Sequence, residues 1–107
     1  MFIRLPVQLV MSRVVTPAGQ QIDMVDDTVT YLDPMKIDTF TRLTDARRVD
    51  TTVPRNAVTV IRYLDHVVGF RIFYVKDRAE WISRALYQLG MGVDPGSIEF
   101  GKIPDGF

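Results

Sequence analysis

The sequence predicts an α+β domain: an antiparallel β-sheet of short strands with one C-terminal amphipathic helix and an irregular Gly-rich tail. Three observations carry that prediction. Residues 57–75 read as a β-hairpin apolar on both faces. Val58, Val60 and Leu64 alternate there with Thr59, Ile61 and Tyr63, and Phe70, Ile72 and Tyr74 with Arg71, Phe73 and Val75. Successive side chains of a strand point to opposite faces, so both sides of this ribbon require cover. Residues 77–89 then place Trp81, Ile82, Ala85, Leu86 and Leu89 at helical spacing, the mark of a single apolar stripe. Everything before the hairpin consists of short runs of β-formers separated by Pro, Gly and Asp.

Taken from the N-terminus, residues 2–15 form a first strand rich in Val, Ile and Leu. Pro6 marks an edge or a break in it, having no N–H for a ladder. Thr16, Pro17, Ala18 and Gly19 supply a turn, Pro presetting φ and Gly accepting a positive one. Residues 20–25 predict a short strand, Asp26 and Asp27 a polar turn, and residues 28–32 a second short strand. Asp33 is placed to cap one helical turn with Pro34 in its first position. Residues 37–43 alternate Thr with apolar side chains as a strand does. Residues 44–52, with Asp45, Arg47, Arg48 and Asp50, predict an exposed connection or a strand tip that leans out of the fold.

Asp65, His66 and Gly69 fall in the hairpin loop. Asp77 is the expected N-cap of the helix, with Glu80 three residues on, and Gly90 is the expected stop. Residues 91–107 hold four glycines and two prolines, which exclude a long regular element. Their apolar content still exceeds that of a disordered tail. The 107 residues thus divide, within a single domain, into a β-meander (1–56), a hairpin plus helix (57–89) and an irregular tail (90–107).

Composition narrows the function. Thirteen basic residues balance thirteen acidic ones, whereas a dedicated nucleic-acid binder shows a basic excess. Arg outnumbers Lys ten to three, a bias that a GC-rich genome also produces. Having no cysteine excludes disulfides, thiolate catalysis and cysteine-ligated zinc. The chain does not open on a basic region followed by a long apolar run, and no stretch approaches the ~20 apolar residues of a membrane span. The expectation is a cytoplasmic protein, in its own cell or in a host cell, with no membrane association.

Candidate chemistry is sparse. His66 is the only histidine, and no nucleophile-elbow spacing surrounds Ser12, Ser83 or Ser97, so no enzyme and no catalytic residue is predicted. Asp23, Asp26, Asp27 and Asp33 lack the Gly and Glu spacing of a calcium loop, and turn chemistry accounts for them, so no metal and no cofactor is predicted. Arg42, Arg47, Arg48 and Arg55, with Arg62 and Arg71 on the hairpin, are the one basic concentration. Together with Tyr63 and Tyr74 they are the candidate contacts for a partner or for a nucleotide or nucleic acid, by charge-assisted hydrogen bonds and stacking.

Val93, Ile98, Phe100, Ile103 and Phe107 of the tail are the candidate self-association residues. One helix covers one face of the hairpin. The N-terminal strands, the tail or a second subunit remain to cover the other, and a symmetric dimer is the commonest way of closing such a surface.

From Tyr31 to Leu86 the order of signals resembles the flagellar FlbD-type small-protein family. The residues that carry the likeness are Leu32, Asp33, Pro34, Ile37, Phe40, the run Val58-Thr59-Val60-Ile61, Gly69, Phe73, Val75 and Ile82. The resemblance implies a small non-enzymatic accessory protein. The residues read without it lead to the same class: a small regulatory protein, an accessory factor or a phage-type inhibitor, that binds a macromolecular partner as a homo-oligomer. The alternative is a module that captures a nucleotide or nucleic acid through the Arg cluster.

Overall fold

The computed structural model describes residues 4–43, 52–65, 67 and 69–90. In chain order it contains β1 (Leu5–Val15), β2 (Gln21–Leu32), a 3-10 turn (Pro34–Lys36), β3 (Ile37–Arg42), β4 (Thr59–Asp65), β5 (Gly69–Val75) and α1 (Ala79–Gly90). The strands make one five-stranded antiparallel sheet in the order β2-β1-β5-β4-β3. The α+β expectation holds, with the helix after the sheet. The Gly-rich tail falls outside the described residues.

The hairpin of β4 and β5 explains this order. Its apolar side chains on both faces are best buried where strands flank it on both sides, so β5 takes the centre with β1 on one side and β4 on the other. Residues 1–56 therefore do not form a meander of neighbours: β2 and β3 lie at opposite edges of the sheet. Pro6 sits where its missing donor does little harm. Pairing of β1 with β5 begins at Leu9, so among the described residues β2 is the one strand beside Pro6.

Residues 21–32 correct a second expectation. Asp26 and Asp27 do not turn the chain but lie within the single strand β2, where the register against β1 passes from Leu9↔Thr28 to Met11↔Val25. A bulge accommodates the extra residue without ending the ladder. The deciding factor is β1, an 11-residue strand that runs past this point and keeps β2 paired on either side of it. The turn before β2 is as expected. Gly19 holds φ +83°, and its N–H donates to the Thr16 carbonyl at 2.8 Å.

Residues directly opposite in an antiparallel pair share a face. On the helix side Leu5, Val7, Leu9, Leu32, Ile61, Phe73 and Val75 pack against Trp81, Ile82, Ala85 and Leu89 of α1. The opposite side has its own smaller core. Val10, Met11 and Tyr74 are buried there with Ala57, and Leu43, Val53, Val60 and Ile72 pack against them. The cover for the hairpin's second face thus includes Val53 and Ala57 of the connection leading into β4.

Arg13 fastens that cover. Its guanidinium grips the Asp23 carboxylate with Nε at 2.8 Å and a second nitrogen at 3.1 Å. It also donates to the Thr52 hydroxyl at 2.8 Å and to the Tyr74 hydroxyl at 3.1 Å. Burial of Arg13 is tolerated because its donors are met and its charge is answered.

The helix begins two residues later than expected. Ile82 N–H donates to the Arg78 carbonyl at 3.0 Å, and Asp77 is directed elsewhere. Its Oδ2 accepts from the Gln8 N–H of β1 at 2.6 Å, and its carbonyl accepts from the buried Thr59 hydroxyl of β4 at 2.6 Å. With Lys76 N–H donating to the Gln8 carbonyl at 3.0 Å, the link between sheet and helix is clipped to β1. Asp77 Oδ1 is buried without a partner, and burial pushes this carboxyl above its ordinary value of 3.8 against the opposing effect of the Gln8 N–H.

The folded protein therefore binds the Asp77 proton more tightly than the unfolded chain. This contribution to stability is fully present below pH 3.8 and is lost as pH rises through the raised value. Asp77→Asn keeps an oxygen for Gln8 and cannot ionise. Melting curves from pH 4 to 7 are expected to fall less steeply with pH for this variant than for the wild type, and equal slopes would rule Asp77 out as the source.

Candidate functional site

The sequence-predicted contacts are divided between the two sides of the sheet. Arg42, Tyr63 and Arg71 lie on the helix side and Arg62 and Tyr74 on the other, as their registers require. Arg42 pairs with Glu80 at the start of α1, and the N–H of Glu80 itself, together with the Arg42 guanidinium, holds that carboxyl below its ordinary value. The two residues line a shallow cleft of about 330 Å³ with Leu43, Val58, Thr59, Arg78 and Ala79. Arg71 lies 3.3 Å from Asp65, and Arg62 lies over the Phe70 ring at 3.7 Å and 3.7 Å from Asp38.

Both tyrosine hydroxyls are used internally. Tyr63 accepts from the Asp33 N–H at 3.1 Å and meets Phe73 edge-on, while Tyr74 accepts from Arg13. Arg55 is exposed in the turn before β4. Arg47, Arg48, His66, Val93, Ile98, Phe100, Ile103 and Phe107 fall outside the described residues. Among the described residues, then, the arginines do not converge. The acidic residues have individual roles as well: Asp23 holds Arg13, Asp27 meets Lys76 at 3.0 Å, and Asp33 caps the 3-10 turn through the Met35 N–H.

Among the described residues, β2 carries five exposed large apolar side chains, more than any other element. Residues 21–29 are all exposed, and among the described residues β2 pairs only with β1. Among the described residues no strand lies beside its outer row of N–H and C=O groups along these 12 residues. Large apolar side chains stand along it on both faces. Ile22 and Met24 lie opposite Val14 and Ser12 on the helix side, while Val25, Val29 and Tyr31 lie opposite Met11, Gln8 and Pro6 on the other. Exposure reaches 61% for Met24, 65% for Tyr31 and 75% for Val25. The helix reaches only the far end of the strand, where Leu32 is buried.

No family model matches the chain, and neither a curated protein nor a solved structure does. No helix among the described residues is long and apolar enough to cross a membrane.

Reading Asp26-Asp27 as a turn concealed this surface, because it cut one long edge strand into two short ones. A signal was available. Ile22, Met24 and Val25 before Asp26-Asp27, and Val29 and Tyr31 after it, are apolar residues on both sides of the acidic pair, as in one long strand that runs through it.

Proposed function

We propose that the protein is a small non-catalytic interaction module that binds a macromolecular partner by strand addition at β2. One observation supports this reading above the others: a long edge strand keeps its backbone open and exposes apolar side chains on both faces. Natural sheets blunt such edges or use them, and an extended segment pairing there gains main-chain hydrogen bonds and pockets for alternate side chains. The lead offered by the two-faced hairpin thereby moves from its second face, which residues of the same chain cover in part, to the edge of the sheet. A small accessory or regulatory protein, as the FlbD-type resemblance implies, fits the same reading. Capture of a nucleotide has less support, since Arg42, Arg62 and Arg71 each lie beside an acidic residue of the same chain.

Site-specific photocrosslinking in the source cell tests the proposal. With p-benzoylphenylalanine at Val25, Val29 or Tyr31, discrete adducts are expected. The same group at Met35 or Tyr87, which are also exposed but lie off β2, is expected to give background only. Adducts confined to Met35 and Tyr87 would overturn the assignment.

A further inference from the structure

We infer that the occupant of the β2 edge is an extended cationic segment of another protein, apolar on both of its faces, which adds as a sixth strand beside the five. The inference rests on β2 being the interaction surface and adds the chemistry of what binds there. β2 carries three carboxylates, Asp23, Asp26 and Asp27, and no Lys or Arg. Asp23 is answered inside the chain by Arg13. Asp27 meets Lys76 but stays 72% exposed, and Asp26 is exposed with no ion-pair partner among the described residues. These two acids sit at the middle of the strand, at the bulge, with apolar side chains on either side of them.

That placement opposes a second copy of the chain. Full antiparallel overlap of two β2 strands sets Asp26 against Asp27 twice. A slip of one residue either way sets Asp26 against Asp26 or Asp27 against Asp27. In-register parallel pairing repeats the conflict at every Asp. Like charges directly opposite destabilise a strand pair, and charges on an exposed edge are a known guard against edge-to-edge self-pairing. A strand with Lys or Arg at its centre reverses the sign of each of these contacts. Ile22 and Met24 on one face, with Val25, Val29 and Tyr31 on the other, require that its remaining side chains be apolar on both sides.

The charge-reversed variant D26K/D27K of the full chain is a suitable probe, because it keeps the apolar pattern of β2 and places cations at its centre. Mixed with the wild type at about 50 mM salt, it is expected to form a one-to-one heterodimer by light scattering. That heterodimer should be roughly tenfold tighter than either homodimer and should weaken as salt is raised tenfold. D26N/D27N, which removes the repulsion, is expected to self-associate more tightly than the wild type. A wild-type homodimer through β2 as tight as the mixture would make a second copy the occupant, leaving the edge as the interface and overturning the cationic partner. If neither the mixture nor D26N/D27N associates, the edge reading falls as well. Should D26K/D27K fail to fold, a monomeric D26N/D27N overturns the inference alone.

Discussion

Trp81→Ala is expected to destabilise the protein by about 3–5 kcal/mol, the range for removing a buried aromatic ring from a core. Trp81 is 5% exposed and belongs to the cluster that joins α1 to β1, β4 and β5. Among the described residues α1 is the one helix on this side, so no second helix there fills the space the indole leaves. Domains are stable by about 5–15 kcal/mol, so the loss removes a large share of the total. It should appear as a fall in the urea midpoint and a drop of roughly 15–25 °C in Tm. Tyr87→Ala on the opposite side of the same helix, 69% exposed, should change stability by less than about 0.5 kcal/mol. Equal effects of the two substitutions would mean that the helix does not pack through its Trp81 face.

Arg13→Ala is expected to cost about 3 kcal/mol, at the lower end for breaking a buried ion pair because Asp23 keeps 24% of its side chain exposed. The substitution leaves the carboxylate without its bidentate partner and removes the donors to Thr52 and Tyr74. Its effect should be local as well as global. Backbone amides at residues 52–58 should exchange faster in the variant than those of β4 and β5, because Arg13 ties that segment to the second face of the sheet. Uniform acceleration throughout the protein would show that the segment has no separate dependence on Arg13.

Local signals were readable in the sequence wherever a single element decides them. The hairpin registers follow from the alternation of Val60, Ile61, Phe73 and Tyr74, and the face of α1 from the spacing of Trp81, Ile82, Ala85 and Leu89. Asp33 caps its turn as its position before Pro34 implied. Features that depend on distant partners were not readable. Asp77 has the spacing of a helix cap, yet the Gln8 N–H, distant in sequence, claims its carboxylate. Asp26-Asp27 has the composition of a turn, but β1 continues alongside and holds it in a strand.

The candidate site was hidden for the same reason. Whether β2 is central or at an edge depends on where β5 inserts, and nothing within residues 21–32 encodes that choice. The arginines, grouped by sequence number, are separated by the alternation of the strands that carry Arg42, Arg62 and Arg71.

Hydrogen exchange along β2 tests most directly whether this edge receives a strand. Isotope-labelled wild type should show fast-exchanging amides at alternate positions of residues 21–32, those that point away from β1. Addition of unlabelled D26K/D27K should slow those amides selectively, completing the ladder on the open side. Protection confined to β3 or to the hairpin of β4 and β5, with the outward amides of β2 still exchanging freely, would contradict it.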